Sequence, residues 1–264
     1  MISSLSSLHP AARDHQDLRD FNDGGDNFIT AVMNQDDPVQ CNACTAFAVA
    51  ATVEGAYNKK HLGGSVGNLD AKKLFSEAGP RRGCQASHWW PVGALEWSEE
   101  SGLETASGQR IKISSSIPLI ERNFKKTQRN MKDCLDGLST MADGPVVAVM
   151  VQYEDFAKWG KYWQDNNPPN TPNPHVYFPG APMPGSNPPI QGEPGLIVGG
   201  HVVSIIGYDD RGAAPFWICK NSWGDKWNGN GFVNIAQAQS SGPGPVGTSG
   251  CYIDLIDVWG VSST

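Results

Sequence analysis

The 264 residues suffice for one large domain or two smaller units sharing a core, and 39 % hydrophobic against 18 % charged residues is a globular balance. A formal charge of −7 argues against a nucleic-acid surface, and no run approaches the ~20 apolar residues of a membrane-spanning helix. Six cysteines are too few for a disulfide scaffold, yet they leave room for one or two bridges beside free thiols.

The opening stretch, MISSLSSLHPAARDHQDLRD, has neither the basic start nor the apolar centre of a secretory signal. Residues 1–18 read as a mobile polar arm. Their Ser-rich, amphiphilic character fits a bacterial effector or toxin that leaves the cell by a non-classical route. A helix is expected over 43–59, where Ala46, Phe47, Val49, Ala50, Val53 and Tyr57 form a broad apolar face and Asn42 is placed to cap it. Shorter helices follow at 69–78 and at 88–101, the latter with Pro91 tolerable in its first turn. Ile120, Phe124, Met131, Leu135 and Leu138 suggest another over 119–140, whose basic run at 121–132 reads as a solvated face.

After Pro145 the texture changes. Segments 145–153, 201–209, 215–221, 231–236 and 251–259 are β-branched and aromatic runs between glycine and proline breaks, and they read as strands. Between the first two lies a stretch, 164–200, saturated with proline and glycine. It should form no regular element, and it is long enough to be a functional rim or a mobile insert. Helices first and strands second predict an α+β fold of two lobes. The helical lobe is 19–118 and the β lobe 119–264, an antiparallel barrel-like sheet, with a site expected in the cleft between them.

Three separated pieces carry chemistry. QCNACTAF places Cys44 at the start of the first helix, GGHVVSIIGYDD opens a strand with His201, and KNSWGDKWNGNGF holds Asn221 between a lysine and tryptophans. A thiol needs a base to become a nucleophile, and the base needs a third group to orient it. A helix N-terminus favours the thiolate through its dipole and free N–H groups.

In these pieces the chain resembles the papain-like cysteine peptidases (papain family C1). KNSWGDKWNGNGF is the most specific match, supported by DGPVVAVMV at 143–151 and GCQASHWW at 83–90. The resemblance runs from about residue 19 to the end, with 164–200 as an insertion. It implies the papain-like two-lobe fold and endopeptidase action through a thioester acyl-enzyme. Carried over, Cys44 is the nucleophile, His201 the general base and acid, and Asn221 the group that orients the imidazole. Trp223 shields the His–Asn bond, and Cys41 bridges Cys84. Substrate contacts would come from Asn42, Ala43, Ala86, Ser87, Trp89, Val202 and Trp223. Trp90 and Ile256 would add to an apolar pocket. No cofactor or metal is implied, and the partners are a polypeptide substrate and a proteinaceous inhibitor of a monomeric enzyme. The family's long inhibitory propeptide has no counterpart in the short stretch before the resemblance, so control is expected from delivery, redox state or a partner.

The departures are local. His201 and Asn221 lie 157 and 177 residues after Cys44, against about 130–150 in typical members, a difference the insert can supply. The residue after Cys41 is Asn42 where the signature has glycine, and Thr45 replaces an aromatic. The position of the oxyanion glutamine holds Pro38, so either Gln35 serves, with 36–38 inserted, or Gln40 does. Gln35 is favoured because Asn-Gln normally precedes the cysteine loop. Ala86 and Ser87 replace the usual pair of glycines. Two rivals, a redox Cys-x-x-Cys and a zinc site of Cys41, Cys44, Cys84 and His88, leave His201 and the Asn221 segment unexplained. A rival of another kind keeps the fold but attenuates catalysis, leaving a protein-binding module.

Overall fold

The computed structural model describes residues 13–21, 25–62, 66–80, 83–85, 89–238 and 250–264. Its elements in chain order are β1 (His15–Asp17), α1 (Cys44–Lys60), α2 (Ala71–Ala78), α3 (Pro91–Glu100), β2 (Leu103–Glu104), β3 (Arg110–Ile111) and β4 (Ile113–Pro118). They continue as α4 (Phe124–Asp136), β5 (Val146–Tyr153), α5 (Glu154–Asn166), β6 (Val176–Tyr177), β7 (Ile197–Asp209), β8 (Phe216–Lys220), β9 (Phe232–Ala236) and β10 (Asp257–Ser263). The fold is α+β. An eight-stranded sheet runs in the order β4-β10-β5-β7-β8-β9-β6, with β1 also pairing β7.

The run VVAVMV in β5 is apolar at every position because both faces of the strand are covered. Val146, Ala148 and Met150 point into the core of the β lobe. Val147 and Val149 point the other way, into the core built around α1. The period-two geometry of a strand therefore sets the two lobes on opposite faces of one sheet. Helix α1 lies along that second face and is buried from Thr45 through Ala50. Its first turn is not capped as expected. Ala43, not Asn42, is the residue before the helix, and no side chain bonds the free N–H groups there. Elsewhere the local signals hold: Asp70 accepts from the Lys73 N–H at 2.8 Å to start α2, and Gly137, at φ 74°, ends α4 in the left-handed conformation that glycine adopts without strain.

Three further expectations need correction. Residues 15–17, assigned to the mobile arm, are β1, and Leu18 beside them is fully buried; residues 1–12 lie outside the described residues. The last strand is Asp257–Ser263, later than 251–259, because Ile253 is buried in a turn before the strand begins. The 164–200 segment is neither structureless nor, for most of its length, a rim of the cleft. Helix α5 runs to Asn166, β6 pairs in parallel with β9, and β7 starts at Ile197.

Specific side chains hold that segment down. The Trp163 indole N–H donates to the Thr171 carbonyl at 2.8 Å, and Asn173 Nδ2 donates to Asn228 Oδ1 at 2.7 Å. Buried Asp155 accepts from the Tyr177 hydroxyl at 2.6 Å and from the Gly180 N–H at 2.8 Å. Tyr177 itself is fully buried. The insert is thus bound to the outer side of the β lobe, and only its last residues reach the cleft.

Gly160 in α5 permits this packing. A Cβ there would lie 2.3 Å from the Trp227 ring, and Trp227 is buried among the lobe's aromatics. Gly160→Ala should therefore destabilise the protein by about 1–3 kcal/mol through overpacking, despite alanine's better helix propensity. The urea midpoint measures it; an unchanged or raised midpoint would show that Trp227 moves aside freely.

Candidate active site

A cavity of about 820 Å³ opens between the lobes. One wall comes from the chain leading into α1 (Gln35, Asn42, Cys44, Thr45) and from Trp89 and Trp90 before α3. The other comes from β5, α5, the start of β7 and the segment after β8, including His201, Val202 and Trp223. Cys44 and His201 thus line the same cavity. Trp223 is half-buried, whereas His201 and Asn221 are almost wholly buried.

His201 sits in β7, opposite Met150 of β5. Its Nε2 lies 2.7 Å from Asn221 Oδ1. Since that oxygen can only accept, Nε2 carries the proton and Nδ1 is the nitrogen left to receive another. The Trp223 ring packs over the imidazole at 4.8 Å between centroids and is backed by Trp227 at 5.0 Å. The imidazole and Asn221 are almost wholly buried beneath the Trp223 ring, and a hydrogen bond kept from water is strengthened.

Burial shapes the charge state of the pair. It pushes the Cys44 thiol above its ordinary value, against backbone hydrogen bonds from Val202, Thr45 and Cys44 itself that favour the thiolate. It pushes the His201 imidazole down to about 4, against the Asn221 bond that raises it. Burial thus opposes the charged form of each partner, and the hydrogen bonds each makes oppose burial in turn.

The depressed imidazole has a consequence for folding. Between its unfolded value near 6.5 and about 4, the unfolded chain binds the proton and the folded chain does not. The contribution is intact above pH 6.5 and lost as pH falls towards 4, on the order of 3 kcal/mol in all. The urea stability of the wild type should therefore fall by about that much more than that of His201→Gln between pH 7 and pH 4. Parallel curves would mean that His201 takes up its proton at the same pH in the folded and unfolded chains.

Gln35 is buried and fixed from both ends. Its Oε1 accepts from the Ser222 hydroxyl at 2.6 Å, its Nε2 donates to the Cys41 carbonyl at 2.8 Å, and its N–H donates to the Ser222 carbonyl at 2.8 Å. The amide has two N–H groups, so one remains for the cavity. Gln40 also lines the cavity but is exposed, without these anchors. Cys41 and Cys84 are joined as a disulfide, and the Asn42 N–H donates to the Cys84 carbonyl at 3.2 Å. The bridge ties the loop before Cys44 to the segment holding Cys84. Cys41 is therefore paired with Cys84 rather than Cys44, and neither bridged sulfur is available to a zinc ion.

The remaining expected contacts divide. Asn42, Trp89, Val202 and Trp223 line the cavity. Ala43 does not: it is 1 % exposed and packs in the core around α1. Ile256 also packs against that core rather than on the cavity wall. Ala86, Ser87 and His88 lie outside the described residues. Sequence reasoning missed two features. One is Ser222, which orients Gln35. The other is Thr45, whose hydroxyl donates to the Trp89 carbonyl at 2.5 Å and fixes the facing wall; a hydroxyl residue where an aromatic was expected was the available signal.

The family model described as papain family cysteine protease matches residues 14–162 and 194–252, leaving out most of the insert. The chain is 25 % identical over 230 residues to a gut-specific cysteine proteinase of Caenorhabditis elegans, covering 75 % of this chain and 62 % of that protein. It is 24 % identical over 218 residues to human cathepsin O, covering 78 % of this chain and 57 % of the relative. It therefore spans less than two thirds of the length of these relatives. The structure of bromelain from Ananas comosus in complex with the E64 inhibitor superposes with a TM-score of 0.61 at 21 % identity, covering 95 % of this chain and 99 % of that one. Matched by the family model over most of its length and sharing the two-lobe architecture, the chain belongs to the papain family of cysteine proteases.

Proposed function

We propose that the protein hydrolyses peptide bonds within polypeptides, with Cys44 as nucleophile, His201 as general base and acid, and Asn221 as the group orienting the imidazole. The observation that carries this reading is the buried 2.7 Å contact between His201 Nε2 and Asn221 Oδ1. It leaves Nδ1 as the base in the cavity that Cys44 shares. Cys44 passes its proton to His201 Nδ1 as Sγ attacks the substrate carbonyl carbon. The negative oxygen that forms accepts hydrogen bonds from the Cys44 N–H and from the free N–H of Gln35. The C–N bond then breaks, the amine takes the proton from His201, and a thioester remains on Cys44. Water attacks the thioester, giving its proton to His201, which returns it to the departing sulfur. A protein inhibitor that fills the same cleft would block the reaction.

The test joins labelling to turnover. The E64 inhibitor, an epoxide, should alkylate Cys44 alone, read by mass spectrometry of the digest. A peptide library should be cleaved by the wild type and not by Cys44→Ala. Labelling without cleavage of any peptide would favour a binding module; absence of both would remove Cys44 from the chemistry.

A further inference from the structure

The cavity is chemically different on the two sides of His201. In the β5–β7 register His201 lies opposite Met150, Val202 opposite Val149, and Gly199 opposite Gln152. Moving from His201 towards Val202, the wall is apolar, with Trp89 facing it. Moving the other way, towards Gly199, the wall passes to α5, which presents Lys158 and Lys161 to the cavity. These two are three apart and therefore share a helix face.

They are the cationic residues among the described lining, and the one carboxylate there is Asp36, on the facing wall. Asp36 is partly engaged, accepting from the Cys41 N–H at 3.1 Å. Lys161 pairs with Asp165, but both side chains are more than half exposed, so the pair exchanges readily with solvent. Lys158 is exposed and forms no close ion pair among the described residues, though its charge is felt by buried Asp155 one turn earlier. On a chain of net charge −7, this end of the cleft therefore presents two ammonium groups and no carboxylate of its own lining.

Chemistry decides which part of a substrate meets it. His201 protonates the departing amine, so the leaving segment lies on the His201 side of the scissile carbonyl. The nucleophile and the apolar pocket hold the acyl segment. Resting on the catalytic reading given above, the geometry points to Lys158 and Lys161 as specificity-determining residues that select a carboxylate in the leaving segment. That carboxylate is either an Asp or Glu side chain or the free C-terminus of a short leaving peptide.

The test reads binding, so it does not depend on turnover. Fluorescent peptides are titrated against the Cys44→Ala protein and against the same protein with Lys158→Gln and Lys161→Gln, each checked for an unchanged melting temperature. One peptide pair differs by Glu against Gln two or three residues after the preferred cleavage position, with an amidated end. The other pair is neutral and differs by a free against an amidated C-terminus. In Cys44→Ala, at least one pair should favour the carboxylate about fivefold or more at low salt, and 0.5 M salt should shrink the ratio. The ratio should fall below about twofold in the lysine variant. The first pair responding assigns the side chain, the second the terminus. Equal affinities within both pairs, an unchanged ratio in the lysine variant, or no peptide binding at all would overturn the proposal. Selective binding with no hydrolysis by the wild type would instead leave the lysine assignment standing and refute the catalytic one.

Discussion

His201→Ala should lower kcat for peptide hydrolysis by about 10³-fold or more, because in the proposed mechanism the variant loses the proton acceptor and the proton donor together. Burial pushes the Cys44 thiol above its ordinary value, so removal of the base should leave little thiolate at neutral pH. The same variant should lose its neutral-pH reaction with the E64 inhibitor and regain it as pH rises towards the thiol's own titration. Asn221→Ala should cost less, about 10–100-fold, since the base stays in place and only its orientation and tautomer are released. Steady-state rates on a quenched peptide and alkylation rates against pH provide both numbers. An Asn221 variant as impaired as the His201 variant would mean that the imidazole leaves the site altogether when its partner is removed.

Glu54→Ala should destabilise the protein by about 3–5 kcal/mol, although Glu54 lies far along α1 from Cys44. Its carboxylate is 2 % exposed and accepts the Leu69 N–H at 2.7 Å, the Thr30 hydroxyl, and the Lys220 ammonium at 3.4 Å. Lys220 is itself 5 % exposed. Burial already pushes its ammonium below the ordinary lysine value, and Glu54 is what opposes that. Removing the carboxylate leaves a buried cation without its counter-charge, across the seam between α1 and β8. Replacing both residues together, with Glu54→Leu and Lys220→Met, should cost less than Glu54→Ala alone. Urea unfolding of the single and double variants decides it; a single variant within 1 kcal/mol of wild type would show that water reaches Lys220.

That Cys44, His201 and Asn221 would be brought together was legible because each sits in a local motif. Cys44 heads an apolar run, and the residues around His201 and Asn221 occupy adjacent antiparallel strands or their ends. Helix α5 was missed although Phe156, Trp159, Gly160 and Trp163 repeat with helical spacing. Its glycine and its position before a proline-rich stretch drew attention to breaks instead. The weakly apolar ISSSIP of β4 gave no strand signal, because it gains its partner only from β10, some 140 residues later. The insert misled for a related reason: composition showed that it lacked long helices, but not that Asp155 and Tyr177 would fasten it away from the cleft. Glu54 inside an apolar helix face was a readable sign of a buried charge. Its partner lies 166 residues away, a separation no periodicity reveals.

The stretch holding Gln35 is stitched backbone-to-backbone to the stretch that follows Asn221: Asn34 bridges Trp223, Gln35 bonds Ser222, and the Gly224 N–H reaches the Met33 carbonyl. In the proposed mechanism, stabilisation of the negative oxygen and steering of the proton carrier are consequently mounted on a single bracket. Thermal loosening of that bracket would disable both at once, so warming should silence individual molecules abruptly, leaving a shrinking population of fully competent enzyme rather than a uniformly sluggish one.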